Sequence, residues 1–132
     1  MEARRNAGPG ECPYELQVLY QFWSHFLIRH FNTTMYEEFR QLAHEDVSRG
    51  MSDAGMKHLI AYYSEAVNNH RVIRDSVARH YVRLVAAEDA TKADRPAFEQ
   101  LLRAWLNGAT PLKNRKKIMD WMSEDLKAEL DR

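Results

Sequence analysis

Leu19-Tyr-Gln-Phe-Trp23 is a pattern that the chain repeats twice, as Leu59-Ile-Ala-Tyr-Tyr63 and as Leu101-Leu-Arg-Ala-Trp105. In each copy a leucine precedes an aromatic residue by four positions, which is about one turn on the same face of an α-helix. The copies lie 40 and 42 residues apart, which is enough chain for two helices each. Two-helix repeats of this length build HEAT-type solenoids, in which each helix pair buries a face against the next. The alternative is an irregular helical bundle in which the spacing arises without a repeat.

The sequence around these copies predicts helix almost throughout. Prolines occur only at positions 9, 13, 96 and 111, and residues 14–95 contain just two glycines, Gly50 and Gly55. A long stretch without helix breakers, rich in leucine, alanine, glutamate and arginine, is typical of helices. The expected fold is therefore all-α, with three stacked helical hairpins that form a HEAT-like repeat of about 40 residues.

Local signals predict where the repeats and their helices begin and end. A disordered lead-in is expected at residues 1–13, followed by a single helical-repeat domain at residues 14–132. The repeats are expected at approximately 14–50, 52–88 and 95–131. The first helix is expected at 14 to 31, and the second from the capping box Thr34-Met-Tyr-Glu37 to Gly50. The third is expected to begin at a cap, Ser52, and the fourth to run from about His70 to Ala87. The fifth is expected to start at Pro96.

Composition excludes several classes of protein. The chain has 132 residues, 45% hydrophobic and 29% charged, so it is long enough for a hydrophobic core and too apolar for a disordered tail. The charges of its 19 basic and 19 acidic residues cancel, so the net charge gives no general attraction to a polyanion. Cys12 has no partner for an internal disulfide, and no apolar run is long enough for a membrane span. We expect a cytoplasmic protein with no membrane partner.

The motifs of common catalytic and metal sites are missing from the sequence. The six histidines include no His-Glu-x-x-His pattern, and His25 and His30 are five residues apart, on different faces of a helix. There is no glycine-rich phosphate loop and no Gly-x-Ser-x-Gly nucleophile elbow. We therefore expect no catalytic residue, no metal and no cofactor, and a protein that is not an enzyme.

The distribution of charge is more informative than its sum. Residues 1–66 hold 6 basic and 9 acidic side chains, whereas residues 67–132 hold 13 and 10. Arg71, Asp75, Arg79 and Arg83 are spaced as one stripe of a helix, and Lys113-Asn-Arg-Lys-Lys117 is the densest basic run. Such cations can contact the phosphates of a single-stranded nucleic acid, although surface helices also carry arginines that only meet water. The candidate RNA-binding residues are Arg71, Arg74, Arg79, Arg83, Arg103, Lys113, Arg115, Lys116 and Lys117.

Residues 16–64 resemble a known family, the C-terminal tandem helical-repeat module of La-related protein one. The phrases that carry the resemblance are Phe22-Trp23-Ser24, His30-Phe31-Asn32, Met35-Tyr36-Glu37-Glu38-Phe39 and, in the second repeat, Tyr62-Tyr63-Ser64. Beyond Ser64 the similarity is limited to Trp105 and the closing helix with Leu126 and Leu130. The chain is most similar to a divergent or fungal-type member.

The resemblance implies a HEAT-like stack that binds the 7-methylguanosine cap and the first nucleotides of messenger RNA and controls its translation or stability. In such a module a methylated guanine stacks between aromatic rings while arginines hold phosphates. The family's first-repeat arginine, aromatic residue and arginine correspond here to Gln21, His25 and Ile28. Its second-repeat arginine, tyrosine and glutamate correspond to Ala61, Glu65 and Asn68. No cap-contacting residue is therefore carried over to this chain.

Two functions follow from the sequence. The first is a non-enzymatic RNA-binding module of a La-related protein, with the basic residues of the second half on single-stranded RNA, including the 5′ region of a message. The second is a protein–protein interaction scaffold, since HEAT-like stacks commonly present a concave surface to a protein partner.

Overall fold

The computed structural model describes residues 14–88, 94–108 and 110–130, and these residues form an all-α repeat fold, as the sequence predicts. No strand occurs within these three ranges. The expected disordered lead-in at residues 1–13 lies outside them. The helices are α1 (Tyr14–Arg29), α2 (Thr33–Ser48), α3 (Ala54–Asn68), α4 (Asp75–Ala87), α5 (Pro96–Asn107), α6 (Leu112–Met119) and α7 (Glu124–Leu130).

The contacts of the chain group it into two compact units, Met1–Tyr62 (unit 1) and Tyr63–Arg132 (unit 2). The expected single domain at residues 14–132 remains a prediction. At the position shared by the three sequence copies, Trp23, Tyr63 and Trp105 are all buried. Among the leucines one turn earlier, Leu59 and Leu101 are fully buried and Leu19 is half-buried. None of the described helices is both long and apolar enough to cross a membrane.

Unit 1 has an aromatic core that is tied together by one buried polar contact. The rings of Tyr20, Trp23 and Phe39 contact one another with centroids 5.6 to 6.3 Å apart. The Tyr20 hydroxyl donates a hydrogen bond of 2.6 Å to Oδ2 of Asp46, which is buried with it. Gly55 of α3 packs on this tyrosine so closely that a Cβ atom there would lie 2.5 Å from the Tyr20 Cζ. The ring therefore lies in a tightly packed space between three helices.

The ends of α2 correct one prediction and confirm another. The predicted cap at Thr34 is wrong, because the Oδ1 atom of Asn32 accepts the bond from the Met35 amide at 3.0 Å and makes Asn32 the N-cap. The predicted role of Gly50 is confirmed, since its φ of +67° is in the left-handed region that favours glycine. The Gly50 amide bonds the carbonyl of Val47, and the Met51 amide bonds that of Asp46, which is a Schellman motif.

The start of α4 is the largest correction in unit 2. The fourth helix was expected from about His70, whereas α4 begins at Asp75. The cause is Asn114 of α6, which is fully buried. Its Nδ2 donates to the carbonyl oxygens of Val67, Asn69 and Arg71 at 3.0 Å each, and its Oδ1 accepts from the Ile73 amide at 2.7 Å. These bonds hold residues 69–73 in a non-helical course, so the helix starts after them.

Charged side chains stabilise the positions of α5 and α7 in unit 2. The two carboxylate oxygens of Glu88 accept from the amides of Ala97 and Phe98 at 2.8 and 2.9 Å, and so cap α5 next to Pro96. Arg95 Nη1 lies 2.8 Å from Glu129 Oε2, which joins the start of α5 to α7. These contacts hold the start of α5 and connect it to α7 within unit 2.

Candidate nucleic-acid interface

All nine predicted RNA-binding cations lie in unit 2, and each is at least partly exposed. They do not form one patch. The structure places two of them before α4 (Arg71, Arg74), two on α4 (Arg79, Arg83), one on α5 (Arg103) and four on α6 (Lys113, Arg115, Lys116, Lys117).

One face of α4 and one face of α6 come together in a basic surface. Lys117 Nζ lies 2.7 Å from Asp75 Oδ1, and the guanidinium carbon of Arg79 lies 5.6 Å from the ring centroid of Trp121. Arg83 continues the row of Asp75 and Arg79 by one more helical turn, and Lys113 precedes Lys117 by one turn on α6. We call this surface the α4/α6 seam; it consists of Arg79, Arg83, Lys113, Lys117 and Trp121.

The basic run at 113–117 is divided over different faces of α6. With 3.6 residues per turn, five successive residues cover the whole circumference of a helix. Lys113 and Lys117 belong to the seam, whereas Arg115 and Lys116 line an open groove between α6 and α7. The Arg115 guanidinium carbon lies 4.1 Å from the ring centroid of Trp105, in a cation–π contact. The fifth residue, Asn114, holds the backbone of residues 67–73 and has a structural role.

Three other predicted cations lie outside the seam. Arg71 and Arg74 are exposed in the segment before α4, so Arg71 is not part of the helical stripe that the sequence predicts. The backbone of this segment is attached to α6 through Asn114, which brings Arg71 near the helix that carries Lys113. Arg103 is exposed on α5, and no contact within the described ranges joins it to the seam.

Trp121 is a candidate binding residue that sequence reasoning missed. The sequence predicts a short helix around Ile118 and Trp121, whereas Trp121 follows α6 and 43% of it is exposed, and Ile118 is fully buried. The neighbouring Met122 is buried in its place. An exposed indole among cations can stack on a nucleobase.

The seam combines the two kinds of group that single-stranded nucleic acids require. Lysine and arginine side chains contact phosphates, and a partly exposed aromatic ring offers a stacking surface for a base. Arg83 and Lys113 are exposed and make no ion pair with another described residue, so their charges are available to a ligand. Within the part of the chain that the structure describes, no group of three histidine, cysteine or acidic side chains could hold a metal ion.

The family model of the LARP1 HEAT repeat region matches residues 1–83 of this chain. The chain belongs to this family. The resemblance seen in residues 16–64 is thereby confirmed, and the LARP1 HEAT repeat region is a non-catalytic helical repeat. The match ends at Arg83 in α4, so α5, α6 and α7 lie beyond it.

The positions at which the resemblance predicts cap contacts differ in their exposure. Gln21 and His25 are exposed on α1, and Ile28 is half-buried. In α3, Ala61 and Glu65 are exposed, whereas Asn68 is half-buried, with its Oδ1 2.9 Å from the Thr110 hydroxyl. The exposed side chains at these positions are therefore an amide, an imidazole, a methyl group and a carboxylate, which do not form an aromatic cage for a methylated purine.

Proposed function

We propose that this member of the LARP1 HEAT repeat family is a non-enzymatic, cytoplasmic module that binds single-stranded RNA and acts in the translation or stability of messenger RNA. The observation that carries the proposal is the α4/α6 seam, in which cations of two helices flank an exposed tryptophan. Family membership supports an RNA or protein partner. The binding surface that we propose lies in unit 2, where basic residues outnumber acidic ones.

The ligand contacts that we propose are to phosphates and to one stacked base, with no recognition of the cap. Cap binding needs two stacking partners and a group for the guanine edge, and the residue types that supply these in the family are absent from the corresponding positions. Phosphate binding needs only accessible cations, which the seam provides through Arg83 and Lys113. Arg71 and Arg74, in the segment before α4, would contact flanking phosphates.

The first test reverses the charge of the two unpaired seam residues, as the double variant Arg83→Glu/Lys113→Glu. With a fluorescein-labelled, uncapped single-stranded RNA, we expect binding to fall by about tenfold or more at low salt, because two phosphate contacts become repulsions. The slope of log K against log salt should also become shallower, by roughly 0.7 for each lost phosphate contact, about 1.4 in all. Fluorescence anisotropy at several salt concentrations measures both quantities.

The matched control is Arg49→Glu/Lys57→Glu, which makes the same change in net charge at exposed residues of unit 1. RNA affinity and salt slope should remain close to those of the unchanged protein. Equal losses in the two double variants would overturn the seam as the binding site. The same RNA with a 7-methylguanosine cap should bind no more tightly than the uncapped form, and a clear preference for the cap would move the site to α1 and α3.

A second candidate function, a protein-interaction scaffold, is favoured by an apolar row on α1. Tyr14, Val18 and Phe22 are exposed at intervals of four residues, and the Phe22 ring stacks on that of Phe26 at 5.1 Å. A row of large apolar side chains on one face of a helix is typical of a surface that meets another protein. If the protein binds no RNA at low salt, this second function replaces the first, and Phe22→Ser should then weaken binding of a protein partner.

A further inference from the structure

The groove between α6 and α7 is separate from the seam and has a distinct chemistry. It is an open depression of about 500 Å³ lined by Leu112, Arg115, Lys116, Met119, Asp120 and Lys127. Three of these residues are cations and only one is a carboxylate. Leu112 is 83% exposed and Met119 is also exposed, so two apolar side chains lie beside the positive charges.

The cations of the groove differ in how firmly they are held. The Arg115 guanidinium is fixed against the Trp105 ring at 4.1 Å. Lys127 Nζ lies 3.4 Å from Glu124 Oε1, a solvent-accessible pair that contributes little stability, so a ligand carboxylate can replace Glu124. Lys116 is exposed and makes no ion pair with any described residue. A ligand therefore meets one preorganised cation and two adaptable ones.

We propose that this groove binds a short acidic segment of a partner protein, one that presents leucine or phenylalanine side chains between glutamates or aspartates. The charge complementarity is direct, since carboxylates of the segment would pair with Arg115, Lys116 and Lys127. Its apolar side chains would cover Leu112 and Met119, which are otherwise in water. The exposed length of α6, eight residues, corresponds to about 12 Å of helix, which matches two turns of a bound helix or a few extended residues.

The lining favours an acidic peptide over RNA at this groove. Nucleobases stack on aromatic rings or on free guanidinium planes, and the groove offers aliphatic side chains and a guanidinium already covered on one face by Trp105. The Asp120 carboxylate in the lining repels a phosphodiester backbone. A peptide can place its carboxylates away from Asp120 because its charges are not spaced at every residue.

The test uses a fluorescein-labelled peptide in which pairs of glutamates alternate with leucine and phenylalanine. Two control peptides of equal length replace the apolar residues by serine or the glutamates by glutamine. We expect saturable binding of the first peptide and at least tenfold weaker binding of each control, because the groove needs both kinds of contact. Leu112→Ser and Lys116→Glu, both at exposed positions, should each weaken binding about three- to tenfold.

A crossed comparison separates this groove from the RNA-binding seam. Arg83→Glu, on α4, should leave peptide affinity unchanged and weaken RNA binding, whereas Leu112→Ser should do the reverse. Peptide affinity that is equal for all three peptides, or insensitive to both groove variants, would overturn the proposal. If single-stranded RNA displaces the peptide from the unchanged protein but not from Lys116→Glu, the groove would be assigned to RNA instead.

Discussion

Asn114 is the single residue on which the arrangement of unit 2 depends most. Its amide group bonds four backbone groups of residues 67–73 from a site with no access to water. Asn114→Ala leaves one amide and three carbonyls without this partner, at a cost of about 1 kcal/mol each, so we expect the free energy of unfolding to fall by about 2–4 kcal/mol. Urea denaturation followed by circular dichroism measures the loss.

The control for Asn114 is Asn107→Ala, an exposed asparagine at the end of α5. Its free energy of unfolding should change by no more than about 0.5 kcal/mol. Asn114→Asp should be at least as destabilising as Asn114→Ala, because a carboxylate cannot donate to three carbonyl oxygens. An aspartate variant of normal stability would show that the donor bonds contribute little.

His58 gives unit 1 a stability that depends on pH. Burial, and to a lesser extent the charge of His25, lowers the pKa of His58 below 6.5, and its ring stacks on Tyr20. The unfolded chain therefore takes up the proton first, so the free energy of unfolding should be constant above about pH 7 and should decrease as the pH falls below 6.5. Burial and Arg40 lower the pKa of His44 in the same direction, so His58→Gln should reduce the decrease without abolishing it.

The cause of the low pKa of His58 is tested directly by proton NMR titration of its ring in the folded protein. His25→Gln removes the neighbouring positive charge, so the pKa of His58 should rise toward 6.5. A pKa of His58 that is the same with and without His25 would leave burial as the entire cause.

At the scale of the helices, the sequence predicts the elements well and their ends less well. Apolar periodicity and the scarcity of prolines were sufficient for the all-α fold and for the burial of Trp23, Tyr63 and Trp105. The start of α4 could not be predicted, because its cause is Asn114, which lies 41 residues from Ile73 in the sequence. Local propensity contains no information on a bond between such distant residues.

The candidate site shows the same division. Spacing predicts the basic residues on α4 and the dense basic run at 113–117, but it does not say which members of the run lie together. Helical geometry alone divides that run over the faces of α6. Which face meets α4 depends on the pairs that Lys117 forms with Asp75 and Arg79 forms with Trp121, and these contacts exist only in the folded chain.

Capping by Glu88 should contribute measurably to the stability of α5. Its carboxylate accepts from the Ala97 and Phe98 amides and lies at the positive end of the helix dipole. Glu88→Gln keeps one acceptor oxygen and loses the charge, so we expect a loss of about 0.5–1.5 kcal/mol in the free energy of unfolding; Glu88→Ala should lose about 1–2 kcal/mol. Glu99→Gln, an exposed change in the first turn of the same helix, serves as the control in urea denaturation. If Glu88→Gln and Glu99→Gln lower the free energy of unfolding equally, Glu88 stabilises α5 only through its charge.

At the scale of the whole molecule, the net charge of zero makes the location of charge decisive for binding to RNA. A protein with a large positive charge attracts any polyanion, whereas this one must do so through a local surface. Two substitutions that change the net charge equally can separate the effect of total charge from that of the local surface. Asp53 and Asp75 are 69% and 70% exposed, and each forms an ion pair with one lysine, Lys57 in unit 1 and Lys117 in the seam.

Asp75→Asn and Asp53→Asn each raise the net charge by one, but only the first releases a seam lysine. We expect Asp75→Asn to bind single-stranded RNA about two- to fivefold more tightly, with a salt slope steeper by roughly 0.7 for the phosphate contact that Lys117 gains. Asp53→Asn should bind with unchanged affinity and slope, because the lysine that it releases, Lys57, is not one of the seam cations. Anisotropy titrations over a range of salt concentrations measure both. An equal gain in both variants would mean that RNA responds to the total charge of the protein, and the assignment of binding to the α4/α6 seam would then be wrong.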